Sequence, residues 1–178
     1  MTHPVEAVPS RRWLLPAAAI ALGAGVVAVD QPSRWWAETN LSRTERIPLL
    51  GDLLGLQLAY NPGAAFSLGE NATWIFTVLS VVAAVVALVF AFRIRRTSWA
   101  IVVGLLGGAA TSHAIDRLFR APSFGNGHVV DFLAYGNWFI GNIADIVIFG
   151  GALGAVLLGL RPSPSAADTL LPANASTR

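Results

Sequence analysis

The sequence predicts an all-α membrane protein: a bundle of four transmembrane helices, with a small extracytoplasmic β-sheet cradle between the first and second spans. Three observations lead there. Of 178 residues, 54% are hydrophobic and only 12% are charged, against about 25% charged in a soluble domain. The charged residues are bunched, and the runs between them approach the ~20 apolar residues that a membrane-spanning helix needs. Arginines without acidic neighbours gather at particular connections, which gives the bundle an orientation.

The first span covers about 13–29 and follows Arg11 and Arg12. A basic start before an apolar stretch also describes a cleaved signal peptide, but no small-x-small cleavage site precedes Asp30, so the segment reads as an uncleaved anchor. The connection 30–71 carries both signs: Arg34, Arg43 and Arg46 with Asp30, Glu38, Glu45, Asp52 and Glu70. It holds the cradle, at about 38–68. Ile47 to Tyr60 is apolar and punctuated by Pro48, Gly51 and Gly55. Leu56-Gln57-Leu58-Ala59-Tyr60 alternates as a strand does, and Asn61-Pro62-Gly63 is a turn.

The second span, 72–92, contains no charge. Arg93, Arg95 and Arg96 then crowd a short link with no acid beside them, which places that link in the cytoplasm. The third span covers 99–115 and the fourth 138–160. Both termini are therefore expected in the cytoplasm, with 30–71 and 116–137 outside. Residues 1–161 form a single membrane domain. Residues 162–178, rich in Pro, Ser, Ala and Thr, form a disordered cytoplasmic tail. Gly104, Gly108 and Ser112, and Gly151, Ala155 and Gly159, recur every four residues, as at close helix contacts in lipid.

Composition removes several chemistries. There is no cysteine and no lysine, which excludes thiolate nucleophiles, zinc–thiolate sites and a Ser–Lys dyad. A net charge of +2 that lies in topological clusters does not point to nucleic acid. No His-x-x-x-His pair exists and His3 lies at the opposite end from His113, so no metal site is expected. Ser112 or Ser123 could be drawn into a Ser–His–Asp triad, but nothing resembles a nucleophile elbow.

Two acids remain that a membrane chain does not place casually. Asp131 lies in His128-Val129-Val130-Asp131-Phe132, and Asp145 in Asn142-Ile143-Ala144-Asp145. An ionised carboxylate in hydrocarbon costs at least about 2.5–3.5 kcal/mol, so each marks a candidate site. Asp116 lies about 25 Å along the third span, and Asp145 about 10 Å into the fourth. Asp131 is expected in the loop just before that helix. Three acids thus gather at the outer face, where two converging carboxylates could do acid–base hydrolysis. Asn142 shares a helix face with Asp145 and can orient a carboxylate or a substrate carbonyl. Asp116 beside Arg117 reads as an ion pair. His113, spaced i, i+3, i+4 with these two, is more often a core residue than a catalyst.

Five blocks in order give the chain a resemblance to the lipoprotein signal peptidases (signal peptidase II): Asp30-Gln31, Asn61-Pro62-Gly63-Ala64-Ala65-Phe66-Ser67, Asp116-Arg117, Val129-Val130-Asp131-Phe132 and Asn142-Ile143-Ala144-Asp145. The resemblance spans about residues 13–160. It implies a cytoplasmic-membrane aspartic endopeptidase that uses no metal or other cofactor and is inhibited by globomycin. Its substrates would be prolipoproteins whose cysteine carries a diacylglyceryl group, cut just before that cysteine. It implies Asp131 and Asp145 as the catalytic dyad, with Asn142, Asn61, Asp30, Asp116 and Arg117 lining or bracing the site; His113, at a position where the family differs, is expected beside them. Expected partners are these precursors and membrane lipid, without nucleic acid, and the chain is expected to be a monomer. Three of the blocks or their flanks depart from the family pattern. His113 stands where an Asn is usual (with Ser112 for Gly), Gly141 replaces a Phe, and Asp30-Gln31 lacks the usual following lysine. A catalytically weakened or inactive paralogue that binds precursors is the alternative. A small transporter would spread its acids across the membrane and show repeats; here they sit at one end.

Overall fold

The computed structural model describes residues 13–63 and 72–160. Arg11 and Arg12, the 64–68 part of the cradle and the 162–178 tail lie outside the described residues. The elements run α1 (Leu14–Asn40), β1 (Ile47–Leu50), β2 (Leu54–Asn61), α2 (Thr73–Ala91), α3 (Thr97–Phe119), β3 (Val129–Tyr135), β4 (Phe139–Gly141) and α4 (Ile143–Gly159). The helices α1, α2 and α3 are long and apolar enough to cross a membrane; α4, with 17 residues, is apolar but shorter.

Helix α3 is central and packs against the other three. Small residues make this possible. A Cβ on Gly108 would stand 2.5 Å from the Gly23 carbonyl oxygen and 2.7 Å from Gly23 Cα, and one on Gly104 would stand 2.6 Å from the Ala19 oxygen. The backbones of α1 and α3 therefore touch, which is how helices associate in lipid, where apolar burial gives no drive. Gly108→Val is expected to force these helices apart and cost about 1–3 kcal/mol, read as a lower melting temperature in mild detergent. An unchanged melting temperature would remove this contact from the account.

The sheet is antiparallel with strand order β1-β2-β3-β4. It draws two strands from the α1–α2 connection and two from the α3–α4 connection, not all from the first, as the cradle at 38–68 had it. The run Val129-Val130-Asp131-Phe132 is buried on both faces and so lacks the alternation by which a half-exposed strand is recognised. Asp131 is consequently in a strand, paired with Ala59 of β2, and not in a loop. Ala37, Leu41, Leu58, Val130 and Phe132 form the core that seats the sheet on α1.

Three helix boundaries also move. Helix α3 continues past Ile115 through Asp116 and Arg117 to Phe119. Helix α1 continues past Val29 through Asp30 and Arg34 to Asn40, because both of those polar side chains are fully buried among partners from α3. Helix α4 starts at Ile143 rather than near Trp138, because Phe139–Gly141 pairs with β3 and Asn142 caps the helix.

Candidate active site

Residue Asn142 ends the sheet and begins α4. Its Oδ1 accepts from the Asp145 backbone N–H at 3.1 Å, while the Asp145 carboxylate accepts from the Asn142 N–H at 2.9 Å. This reciprocal pair satisfies two of the N–H groups that a helix start leaves free. The other end of the same amide donates to Asp131 Oδ1 at 2.5 Å. One fully buried residue thus holds both acids, Asp131 of a strand through its side chain and Asp145 of a helix through its backbone N–H.

Asp131 is 3% exposed. Its second oxygen accepts from Asn61 Nδ2 at 3.2 Å, and Asn61 is itself oriented by the Gly63 N–H, which donates to Asn61 Oδ1 at 3.0 Å. Burial first, and the charge of Asp145 second, push the Asp131 carboxyl up to about 6, against the hydrogen bonds of Asn142 and Asn61. Both carboxylates face a cavity of about 350 Å³ that also has Asn61, His113 and Arg117 in its wall. Phe76, Leu79 and Ile148 make its apolar side. Asp145 Oδ1 lies 3.3 Å from His113 Nε2. At Gly141 a Cβ would stand 2.9 Å from Asp145 Oδ2, so that position's smallness leaves the carboxylate its room.

Behind the pair lies an ionic cluster. Asp30 Oδ2 accepts from Arg34 Nε at 2.5 Å and from the Ser112 hydroxyl at 2.6 Å, and Oδ1 accepts from the Ala144 N–H at 2.9 Å. Asp116 Oδ2 accepts from Arg34 Nη1 at 2.7 Å and from the Val130 N–H at 3.0 Å. Its Oδ1 takes Arg120 Nε at 2.7 Å and Gln31 Nε2 at 2.9 Å. Asp30 therefore fixes the start of α4 near Asp145, and Asp116 fixes the residue before Asp131.

Of the residues singled out in the sequence, Asp131, Asp145, Asn61, Arg117 and His113 line the cavity, with Asn142 between the acids. Asp30 and Asp116 stand behind it as supports. Asp116 does not pair with Arg117. Neighbours i, i+1 diverge around a helix while i, i+4 share a face, so Asp116 takes Arg120. Arg117 instead donates to the carbonyls of Pro62 and Gly63 and lies 5.3 Å over the Phe76 ring. Ser112, fully buried and bonded to Asp30, is no nucleophile. Arg34 was missed as a site residue; its i, i+4 spacing from Asp30 was the available signal.

Comparison with known proteins identifies the family. Residues 22–161 match the family described as signal peptidase (SPase) II. A lipoprotein signal peptidase of Leifsonia xyli subsp. xyli is 42% identical over 148 residues, covering 81% of this chain and 68% of that protein. One of Bifidobacterium adolescentis is 38% identical over 160 residues, covering 90% and 84%. A bacterial membrane enzyme solved by the in meso method at 2.3 Å has a similar fold, with a TM-score of 0.71 at 20% identity, over 90% of this chain and 95% of that one. With the family match running from within α1 to the end of α4 and over the whole sheet, the chain belongs to the signal peptidase II family of aspartic peptidases.

Proposed function

We propose that the chain removes signal peptides from diacylglyceryl-modified prolipoproteins by cutting before the lipidated cysteine, with Asp131 and Asp145 as its catalytic dyad. The observation that carries the assignment is Asn142, which donates from its side chain to the Asp131 carboxylate and from its backbone N–H to the Asp145 carboxylate, beside one cavity that both acids line. Asp131, buried and protonated up to about 6, is the acid. Asp145, open to the cavity with 41% of its side chain exposed, is the base. Two such neighbours titrate as a unit with one proton between them.

Water attacks the scissile carbonyl carbon as Asp145 takes one of its protons and Asp131 protonates the carbonyl oxygen. The tetrahedral diol then collapses. The C–N bond breaks, Asp145 returns its proton to the leaving amine, and Asp131 recovers one from a diol hydroxyl. No step needs a metal. Asn61 and Asn142 aim Asp131, and Arg117 holds the end of β2 against α3.

All four helices span the membrane in this reading, with the sheet outside. Trp13 and Trp99 lie at one end of the bundle and Trp35, Trp36, Trp74 and Trp138 at the other. Such paired belts sit at the two interfaces of a bilayer. Trp13 to Trp35 spans about 33 Å of helix, close to the ~30 Å hydrocarbon core. Arg93, Arg95 and Arg96 put the α2–α3 link in the cytoplasm of a bacterial cell. The dyad then opens near the outer surface of the inner membrane, where water and a diacylglyceryl tail can both reach it, and one monomer suffices.

Purified protein in mild detergent should convert a lipid-modified precursor to a shorter species that starts at the cysteine; an intact precursor would overturn the function. The pH dependence follows from Asp131. Below about 6 the carboxyl keeps its proton and can act as acid; above it, both members are ionised and the acid is lost. kcat/KM should therefore fall as pH rises through that value. Asn61→Ala removes a donor that favours the carboxylate, so it should move the fall to higher pH. A fall that stays in place would remove Asn61 from this role.

A further inference from the structure

Four ionisable side chains stand in the wall of the cavity: Asp131, Asp145, Arg117 and His113. The Arg117 guanidinium donates to the carbonyls of Pro62 and Gly63 and feels the Asp131 charge. The dyad's shared proton cancels one negative charge, and among the described residues no guanidinium is paired with the Asp145 carboxylate. A partly buried charge without a partner is costly.

His113 stands beside the Asp145 carboxylate. Its Nε2 is 3.3 Å from Asp145 Oδ1, shielded from solvent, and in no hydrogen bond of ordinary geometry. The elements around it leave Asp145 as its natural partner. From α4 the facing charge is Asp145, and from β3 it is Asp131. The strand β2 offers the neutral Asn61 to the same cavity, and α2 has no ionisable residue. From α1, Arg34 and Asp30 are paired with one another. On its own helix, Asp116 is held by Arg34 and Arg120, and Arg117 by the carbonyls of Pro62 and Gly63.

We propose that His113, as an imidazolium, is the counter-ion of Asp145: it keeps Asp145 ionised as the base and leaves the dyad's proton on Asp131. This rests on the dyad assignment above. His113 is a positioning residue, because it acts through Asp145 and not on the substrate. The chemistry of the ring makes the arrangement switchable. A protonated Nε2 presents an N–H to the carboxylate, whereas neutral imidazole with its proton on Nδ1 presents a lone pair. The active state then needs two protons, one on Asp131 and one on His113.

The test compares kcat/KM against pH for the whole protein, His113→Asn and His113→Gln, with one lipidated peptide. Both amides can donate a hydrogen bond, but neither can change charge. The wild-type alkaline limb should fall with a logarithmic slope of about two and the variants' limb with a slope of about one. A slope unchanged by the substitutions, or a loss equal at every pH, overturns the proposal. A second readout needs no turnover. In protein labelled with ¹⁵N-histidine, the resonance missing from His113→Asn identifies His113. Its titration midpoint should differ by at least about half a pH unit between wild type and Asp145→Asn. Equal midpoints overturn the counter-ion role even in an active enzyme. A wild type that cleaves nothing while these midpoints differ sinks the protease reading and supports the ion pair.

Discussion

Asp131→Asn and Asp145→Asn are each expected to abolish cleavage, lowering kcat/KM by roughly a thousand- to ten-thousand-fold, the upper range for a lost general acid or base. The two losses have different origins. An amide at 131 cannot give up a proton at the carbonyl oxygen. An amide at 145 cannot take one from water. Neither change alters side-chain volume, so the fold should persist. At 145, the amide oxygen can still accept the Asn142 N–H that now meets the carboxylate at 2.9 Å, and the cap of α4 survives. At 131, two donors, from Asn142 and Asn61, converge on two oxygens. An amide has one oxygen, so one donor would face an NH₂ group, at a cost of about 1–3 kcal/mol that relief from burying a carboxylate partly offsets. Cleavage of a lipidated precursor, read beside helical content and a melting curve, separates chemistry from folding. Either variant processing precursor at a tenth of the wild-type rate or faster would remove that residue from the dyad.

What the sequence conveyed and what it withheld divide along contact range. Apolar runs marked α2 and the body of α3 because lipid-facing helices announce themselves locally. The two acids and Asn142 were legible because a carboxylate in an apolar stretch needs a reason, and because i, i+3 spacing joins Asn142 to Asp145. The end of α1 was not legible. Asp30 and Arg34 look like the start of a polar loop until Asp116 and Ser112, more than 80 positions away, supply partners that let the helix continue. The strand β3 was hidden for a related reason: buried on both faces, it shows no alternation. The start of α4 was read too early because Trp138, Phe139 and Ile140 are apolar, and an edge strand and a helix start share that composition. The ring of His113 could be placed on the right helix, but its approach to Asp145 depends on how α3 and α4 pack, which no local pattern encodes.

Arg34→Met should be the most destabilising single change in the described residues, costing about 3–5 kcal/mol, the range for removing one partner of a buried ion pair. Arg34 is fully buried and bridges two acids that are equally buried, Asp30 through Nε and Asp116 through Nη1. Methionine fills much of the space but leaves two carboxylates facing the vacated position. Asp116 would keep Arg120 and Gln31, while Asp30 would keep only the Ser112 hydroxyl and the Ala144 N–H. The damage reaches the chemistry, because Asp30 anchors the first turn of the helix that carries Asp145, and Asp116 anchors the strand residue before Asp131. Activity should therefore fall in the protein that still folds, not only in proportion to how much folds. Arg34→Lys restores the charge but not the fork that serves two acids at once, and should lose less than Arg34→Met. Adding Asp116→Asn to Arg34→Met should recover part of the stability, because it removes one of the stranded charges. Melting temperatures of the four proteins in one detergent decide the matter. A double variant no more stable than Arg34→Met would mean that the cost comes from lost packing rather than from uncompensated charge.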